Sequence, residues 1–147
     1  KKIQLSELTK TGTKELPVYY YKNDLYTGPV EQNYSNGTRS EMYLKAGKFH
    51  GVYKNWHQDG LLAVELNFKD GKYHGLNRSW HDNGKKSDES SFRNGVAHGL
   101  YLSYYSNGQL KNKGQNIDGK KDGYWKLWDE NGKILREGYF VNGEEIN

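Results

Sequence analysis

The stretch KYHGLNRSWHDNG, residues 72–84, contains two of the glycines that decide the fold, Gly75 and Gly84. Each belongs to a series in which glycine recurs every 24 residues, and a third such series runs through Gly71. With Gly28 and Gly37 as slightly displaced members, the series include 15 of the 18 glycines: Gly51, Gly75, Gly99 and Gly123; Gly60, Gly84, Gly108 and Gly132; Gly47, Gly71, Gly95, Gly119 and Gly143. A fixed period of this length is the signature of a repeat protein.

The period divides the chain into an N-terminal segment, residues 1–17, and a repeat domain, residues 18–147. The N-terminal segment lies outside the pattern, and we interpret it as a tail or a cap. The repeat domain has a half copy followed by five full copies: 18–27, 28–50, 51–74, 75–98, 99–122 and 123–146.

Each copy contains two turn signals, which separate segments of about six to eight residues. One turn reads SNG, QDG, DNG, SNG or ENG, and the other reads KAG, KDG, RNG, IDG or VNG. Asn-Gly and Asp-Gly favour β-hairpins because such turns need positive φ at their central residues. Segments such as LYLSYY (100–105) are rich in strand-forming residues, and we find no helical period. The sequence therefore predicts an all-β chain, an antiparallel hairpin meander of about ten to twelve strands.

Alternation along the strands assigns side chains to the two faces of the sheet. We expect equivalent rings to stack as a structural aromatic ladder: Trp56, Trp80, Tyr104 and Trp128 from the first strands, and Phe68, Phe92 and Phe140 from the second. By the same alternation, Val52, Leu76, Leu100 and Tyr124 point the same way as the tryptophans. Asn116 interrupts the phenylalanine series in the fourth copy.

The opposite side of the first strands is more polar and more variable, and we take it as the candidate binding face. Its candidate contact residues are Tyr53, His57, His81, Tyr101, Tyr105 and Trp125. Such rings form stacking surfaces for peptide, glycan or single-stranded nucleic acid. The alternative is that they only shield a thin sheet from water.

The histidines suggest a metal site, but their spacing argues against one. His74 and His81 lie at opposite ends of one strand, roughly 23 Å apart, and equivalent histidines of successive copies are roughly 9–10 Å apart. A metal ion needs ligand nitrogens about 2 Å away, so we expect neither a metal nor a cofactor. A glutamate occurs at the equivalent position of four copies, as Glu41, Glu65, Glu89 and Glu137, whereas an enzyme needs only one site. Without a phosphate-binding or nucleophile motif, we expect no enzyme and interpret the glutamates as structural.

Composition restricts the partner only weakly. The net charge is +4 and lysines are mixed with acids, which disfavours nucleic acid as the partner. The chain has no cysteine and no apolar run near the length of a membrane-spanning helix, so the compartment stays open. The chain starts at Lys1 rather than methionine, which is consistent with removal of an upstream segment.

The repeat itself resembles a known family. The motifs YTG (26–28), FHG (49–51) and YHG (73–75), the last two followed by Trp56 and Trp80 and then by Gly60 and Gly84, resemble MORN repeats in their bacterial variant form. The resemblance covers about residues 18–146. It implies an elongated, twisted, largely single-layer sheet of hairpins.

The resemblance also implies a function class. Bacterial members are labelled antitoxin-like, which implies a non-enzymatic scaffold that binds a partner protein. An alternative is a cell-envelope binder of glycan or anionic lipid, although we see no basic stripe in the sequence. A further alternative is self-association through the open sheet edges. We expect a bacterial protein and slightly favour an envelope or secreted location over the cytoplasm.

Overall fold

The computed structural model of the protein describes residues 2–147, which form strands, turns and one short 3₁₀ turn, Leu5–Glu7. The strands within these residues are β1 (Ile3–Gln4), β2 (Thr9–Gly12), β3 (Pro17–Tyr21), β4 (Asp24–Leu25), β5 (Gly28–Asn33), β6 (Arg39–Lys45), β7 (Lys48–Phe49), β8 (Gly51–Trp56), β9 (Leu62–Lys69), β10 (Lys72–Tyr73), β11 (Gly75–Trp80), β12 (Lys86–Arg93), β13 (Val96–Tyr104), β14 (Leu110–Ile117), β15 (Lys120–Trp128), β16 (Ile134–Val141) and β17 (Glu144–Ile146).

Fourteen of these strands form one long open sheet. From β5 to β17 neighbouring strands follow the chain and are antiparallel, so the predicted hairpin meander is confirmed. The sheet is mixed only because β1 runs parallel to β5 at the N-terminal edge. The short strands β7 and β10 pair with β6 and β9, just before β8 and β11 continue the same direction.

The two turns of each copy have different conformations. In the KDG-type turn both central residues have positive φ, as at Asp70 (49°) and Gly71 (84°), which is the type I′ geometry. In the DNG-type turn only the glycine has positive φ, and the Asn83 side-chain oxygen accepts a hydrogen bond from the Lys85 amide at 3.0 Å. We call the KDG-type turn the second turn of a copy and the DNG-type turn its first turn. Both are hairpin turns, but positive φ at both central residues is confirmed only for the second turn.

The N-terminal segment contributes one strand to each of the two sheets, β1 to the long sheet and β2 to a smaller one. Strand β2 pairs with β3 in a separate three-stranded sheet, β2-β3-β4. Leu8 of this segment and Tyr19 of the half copy pack against Val30, Met42 and Leu44 of the first copy in a small buried core. The molecule therefore has two layers at this end.

The register defines the two faces of the long sheet and corrects the predicted grouping. Phe68 pairs with Gly51 and Leu66 pairs with Tyr53, so Phe68 and Tyr53 share a face. We call it the inner face, because Val30 and Leu44 of the buried core lie on it. Trp56 and Val52 alternate with Tyr53 and lie on the other face, which we call the outer face.

Val52, Leu76, Leu100 and Tyr124 share the outer face with the tryptophans, as the alternation predicts. These side chains lie on the outer face and remain exposed: Val52 at 45%, Leu76 at 39%, Leu100 at 48% and Tyr124 at 48%. Alternation separates two faces but does not tell which one is covered. The N-terminal sheet lies over the inner face, and its strand β2 comes from the N-terminal segment, which carries no repeat signal.

A row of aromatic rings runs along the inner face. Its members contact one another in the order Tyr19, Phe49, Phe68, Tyr73 and Phe92, with ring centroids 5.6, 5.2, 5.0 and 5.1 Å apart. The row stops at β13 and β14, where Ala97 pairs with Phe92 and Asn116 replaces the next phenylalanine. The departure of the fourth copy from the pattern thus divides the inner face.

In each copy the second turn is hydrogen-bonded to the copy before it. The amide of Gly71 donates to the Phe49 carbonyl at 2.8 Å, and the amide of Gly95 donates to the Tyr73 carbonyl at 2.7 Å. Gly47, Gly119 and Gly143 make the corresponding bonds at 2.7, 2.8 and 2.8 Å. Each second turn is thereby fixed to the preceding copy.

The residue before the first glycine of a copy accepts a second bond of this kind. Nδ1 of His74 accepts from the Asn94 amide at 3.2 Å. The same acceptor position is occupied in turn by Thr27, His50, His98 and Asp122, which accept from the amides of Ala46, Asp70, Asp118 and Asn142. These three histidines are therefore hydrogen-bond acceptors of the repeat, and Thr and Asp serve equally in the same position.

We expect His74→Asp to keep the stability of the protein and His74→Ala to lower it. The alanine variant leaves the Asn94 amide without its acceptor, which costs about 1 kcal/mol of unfolding free energy. Aspartate supplies an acceptor as Asp122 does. Urea denaturation of both variants checks this, and equal stability of the two variants contradicts it.

Candidate functional site

A cleft of about 600 Å³ opens on the inner face beside the N-terminal loop. The loop before β3 forms one wall, the aromatic row forms the floor, and the second turns of two copies form the other wall. The apolar part of the lining is Leu16, Pro17, Phe49, Phe68, Tyr73 and Val96. Leu16 is 43% exposed and Val96 is 45% exposed, so the cleft presents apolar surface to water.

The local sequence positions both walls. The Leu16 amide donates a hydrogen bond to Oγ1 of Thr13 at 3.0 Å, which supports the loop. A side chain at Gly71 would meet Leu16 at 3.7 Å, so the loop lies directly against this turn. The cleft therefore depends on the N-terminal segment, which the repeat pattern does not describe.

A second aromatic feature lies further along the inner face, where the aromatic row has ended. Tyr101 and Trp125 stack with ring centroids 5.7 Å apart and an angle of 27° between the planes. The indole lies over Gly114, where an added Cβ would come within 2.0 Å of the ring. Its Nε1 donates to the Gln115 carbonyl at 3.0 Å. The Lys121 ammonium lies 4.8 Å from the indole centroid.

Of the six predicted contact residues, only Tyr101 and Trp125 are in ring contact with each other. Tyr53 packs between Phe49 and Phe68, 6.4 Å from each centroid, and its Oη shares a 2.9 Å hydrogen bond with Ser40. Burial raises the pKa of the Tyr53 phenol, although the hydrogen bond with Ser40 opposes the shift. Tyr53 thus belongs to the aromatic floor next to the cleft.

The remaining three predicted contact residues lie where the first strands end. Nε2 of His81 is 2.9 Å from the Tyr104 carbonyl, and Oη of Tyr105 donates to the Trp128 carbonyl at 2.8 Å. Both contacts join one copy to the next. His57 occupies the equivalent position, with Nδ1 3.7 Å from the Asp82 carboxylate, while its buried Nε2 has no hydrogen-bond partner in residues 2–147. A binding role for all six residues stays a prediction.

The predicted structural ladder is divided between the two faces. Phe68 and Phe92 are in the inner aromatic row, and Phe140 lies 5.1 Å from the Lys121 ammonium. Trp56 and Trp80 have guanidinium groups over their rings, those of Arg39 at 4.1 Å and Arg78 at 5.8 Å, and lie on the outer face. By register Tyr104 and Trp128 are their equivalents in later copies.

The glutamate series lies on the outer face and is ion-paired. Glu65 pairs with Arg78 at 2.6 Å, and Glu137 pairs with Lys126 at 3.8 Å. Burial raises the pKa of Glu41, but hydrogen bonds from Arg39 and Lys2 lower this pKa by more, so the net shift is downward. These carboxylates pair with nearby Lys or Arg side chains, which agrees with their interpretation as structural.

The structure contains a basic edge, which the sequence analysis missed. All second turns lie along one long edge of the sheet, within residues 45–49, 69–73, 93–97, 117–121 and 141–145. The basic residues of this edge are Lys45, Lys48, Lys69, Lys72, Arg93, Lys120 and Lys121, against the acidic Asp70, Asp118, Glu144 and Glu145. The opposite edge, formed by the first turns, has Lys85, Lys86 and Lys133 against Asp59, Asp82, Asp129 and Glu130. The expected absence of a basic stripe is wrong, because the 24-residue period gathers lysines that are dispersed along the chain.

Among residues 2–147 no three His, Cys, Asp or Glu side chains are grouped so that they could hold a metal ion. None of the helices in this part of the chain is long and apolar enough to span a membrane.

We expect Gly114→Ala to disrupt the Tyr101–Trp125 stack, because the new methyl group overlaps the indole. Such overpacking costs about 1–3 kcal/mol of unfolding free energy and changes the near-ultraviolet circular dichroism of the rings. Ser90→Ala is the matched control, since Ser90 pairs with Tyr101 in the preceding hairpin and already carries a Cβ. An unchanged aromatic spectrum for Gly114→Ala contradicts this packing.

Comparison with known proteins agrees with this geometry. The family model described as MORN repeat variant matches residues 49–70, 73–94, 97–115 and 121–142, which is more than half of the chain. The matched segments begin close to the copies at 51, 75, 99 and 123 and leave the first copy unmatched. No curated protein matches the chain. MORN repeats form a non-catalytic family that is generally associated with binding or scaffolding. The chain belongs to the MORN repeat variant family.

Proposed function

We propose that this chain is a non-enzymatic scaffold that binds another protein, and that the partner occupies the cleft on the inner face. The observation that carries this proposal is the open apolar cleft, with Leu16, Tyr73 and Val96 exposed to water. A rigid concave surface that contains aromatic and aliphatic side chains matches the buried centre of protein interfaces.

The rigidity of the cleft supports a binding role. Its floor is a row of rings already packed against one another, and its second-turn wall is hydrogen-bonded to the preceding copy. Binding to a preformed surface loses little conformational entropy. The outer face also exposes apolar side chains, but these alternate with ion pairs such as Arg78–Glu65. The inner cleft is therefore the better candidate.

The Tyr101–Trp125 pair offers a second contact area for the same partner. It lies on the inner face, where aromatic rings supply large contact area with few rotatable bonds. An antitoxin-like action, as the family resemblance implies, would then consist of covering the working surface of the partner protein. Steric occlusion of this kind needs no chemistry from the scaffold.

We expect Val96→Asp to abolish retention of the partner and Val52→Asp to leave it intact. Both valines are 45% exposed, so neither change disturbs a core, but only Val96 lies in the cleft. An aspartate buried against apolar partner groups loses its hydration, which should lower retention at least about tenfold. Affinity capture from the native source with each variant as bait, quantified by mass spectrometry, measures this. The double variant Tyr101→Ala with Trp125→Ala tests the second contact area in the same assay.

The control variant makes the outcome decisive. Loss of the partner with Val52→Asp but not with Val96→Asp places the interface on the outer face and contradicts the proposal. Recovery of membrane or cell-wall material alone, without a stoichiometric protein, also contradicts it and favours the envelope-binding alternative.

A further inference from the structure

The basic edge meets the cleft at the N-terminal end of the sheet. Lys72 lines the cleft together with Lys14 of the N-terminal loop, and Glu15 is the acidic residue of the lining. From this arrangement we infer that the part of the partner that enters the cleft is an extended acidic peptide segment. Its apolar side chains face the aromatic floor and its carboxylates face the lysines. This inference rests on the proposed function.

The charges of the basic edge are available to a partner, except that of Lys121, which lies over the Trp125 and Phe140 rings. Within residues 2–147 none of its seven basic side chains forms an ion pair. On the outer face, by contrast, Arg39, Arg78 and Lys126 are all paired with glutamates. A row of ammonium groups without internal counter-charges is an attractive surface for carboxylates.

Packing of the lysine stems holds these charges in place. An added Cβ at Gly71 would lie 3.7 Å from the Lys48 stem, and one at Gly95 would lie 3.7 Å from the Lys72 stem. An added Cβ at Gly143 would lie 3.5 Å from the Lys120 stem. Each lysine therefore extends over the second turn of the next copy, with its apolar stem packed and its charged end towards water. Ordered stems lose less rotamer entropy when a carboxylate binds.

The positive charge of the basic edge is highest in the copies next to the cleft and decreases along the chain. The first two copies contribute four lysines and one aspartate, Asp70, at this edge. The last copy contributes only Glu144 and Glu145, which reverse the sign. The positive charge is thus concentrated beside the cleft rather than spread evenly along the sheet, as a long polyanion would need.

The shape of the cleft favours an extended peptide over a nucleic acid strand. The floor rings are tilted or edge-on to one another, with interplanar angles of 39°, 49° and 54° between successive rings from Phe49 to Phe92. Their faces are partly covered by neighbours, whereas bases need free faces for stacking. An extended peptide instead directs alternate side chains to opposite sides, so that apolar and acidic groups separate between floor and rim.

The inference is tested with synthetic peptides that differ only in charge. Three fluorescein-labelled peptides of about eight residues carry the same apolar residues at alternate positions. The intervening residues are glutamate, glutamine or lysine. Fluorescence anisotropy with the full chain at about 20 mM salt should show the glutamate peptide binding at least about tenfold tighter than the glutamine peptide. The difference should shrink at about 300 mM salt.

A charge reversal sharpens this test. The double variant Lys14→Glu with Lys72→Glu should bind the lysine peptide more tightly than the glutamate peptide. The matched control is Lys85→Glu with Lys133→Glu on the opposite edge, where the Lys85 stem lies over Gly108 as Lys72 lies over Gly95. The control variant should keep the preference for glutamate.

Several results overturn the inference. They are no binding of the glutamate peptide, equal binding of the glutamate and glutamine peptides, or an unchanged preference in the Lys14/Lys72 variant. Tighter binding of an oligothymidylate or of phosphatidylglycerol vesicles than of the glutamate peptide, lost on the same charge reversal, also overturns it. If Val96→Asp still releases the captured protein in such a case, the proposed binding site stands and only the acidic chemistry of the partner fails.

Discussion

The structure depends on one contact between copies, the attachment of each second turn to the copy before it. The glycine amide of the turn donates to a carbonyl of the preceding copy, and the amide of the residue before that glycine donates to the Thr, His or Asp acceptor. Both amides are available because the two central residues of this hairpin turn lie outside the ladder of strand hydrogen bonds, and their positive φ gives the type I′ turn. Glycine at the second central position is therefore needed for stacking as well as for reversal of the chain.

This contact has consequences for the surface. It fixes every copy at the same offset from its neighbour, so that residues 24 positions apart form straight rows across the strands. The rows become an aromatic floor, a row of ion pairs and a basic edge, although no short stretch of the sequence contains any of them. The cleft arises where the N-terminal loop meets the first rows, and the Tyr101–Trp125 pair arises where the aromatic row ends. Both candidate binding surfaces thus lie at departures from the repeat.

The sequence predicts the periodic part of the structure and misses the rest for physical reasons. Glycine spacing and turn dipeptides predict the copies, the hairpins and the order of strands, because these features are local. Which face is covered depends on the sheet β2-β3-β4, whose strand β2 lies in a segment without a period of its own. Alternation alone therefore could not predict that Leu76 stays exposed on the outer face. Gly114 is one of three glycines outside the series, and its absence from the pattern is the signal that could have indicated the position of Trp125.

Hydrogen exchange of the turn amides, measured by nuclear magnetic resonance on the free protein, tests the stacking contact most directly. The amides of Gly71, Gly95, Gly119 and Gly143 should exchange as slowly as strand amides, because each is bonded to the preceding copy. The amide of Asn83, in an exposed first turn, supplies the rate of an ordinary turn. If the glycine amides exchange as fast as that of Asn83, the copies are not held together in this way and the account is contradicted.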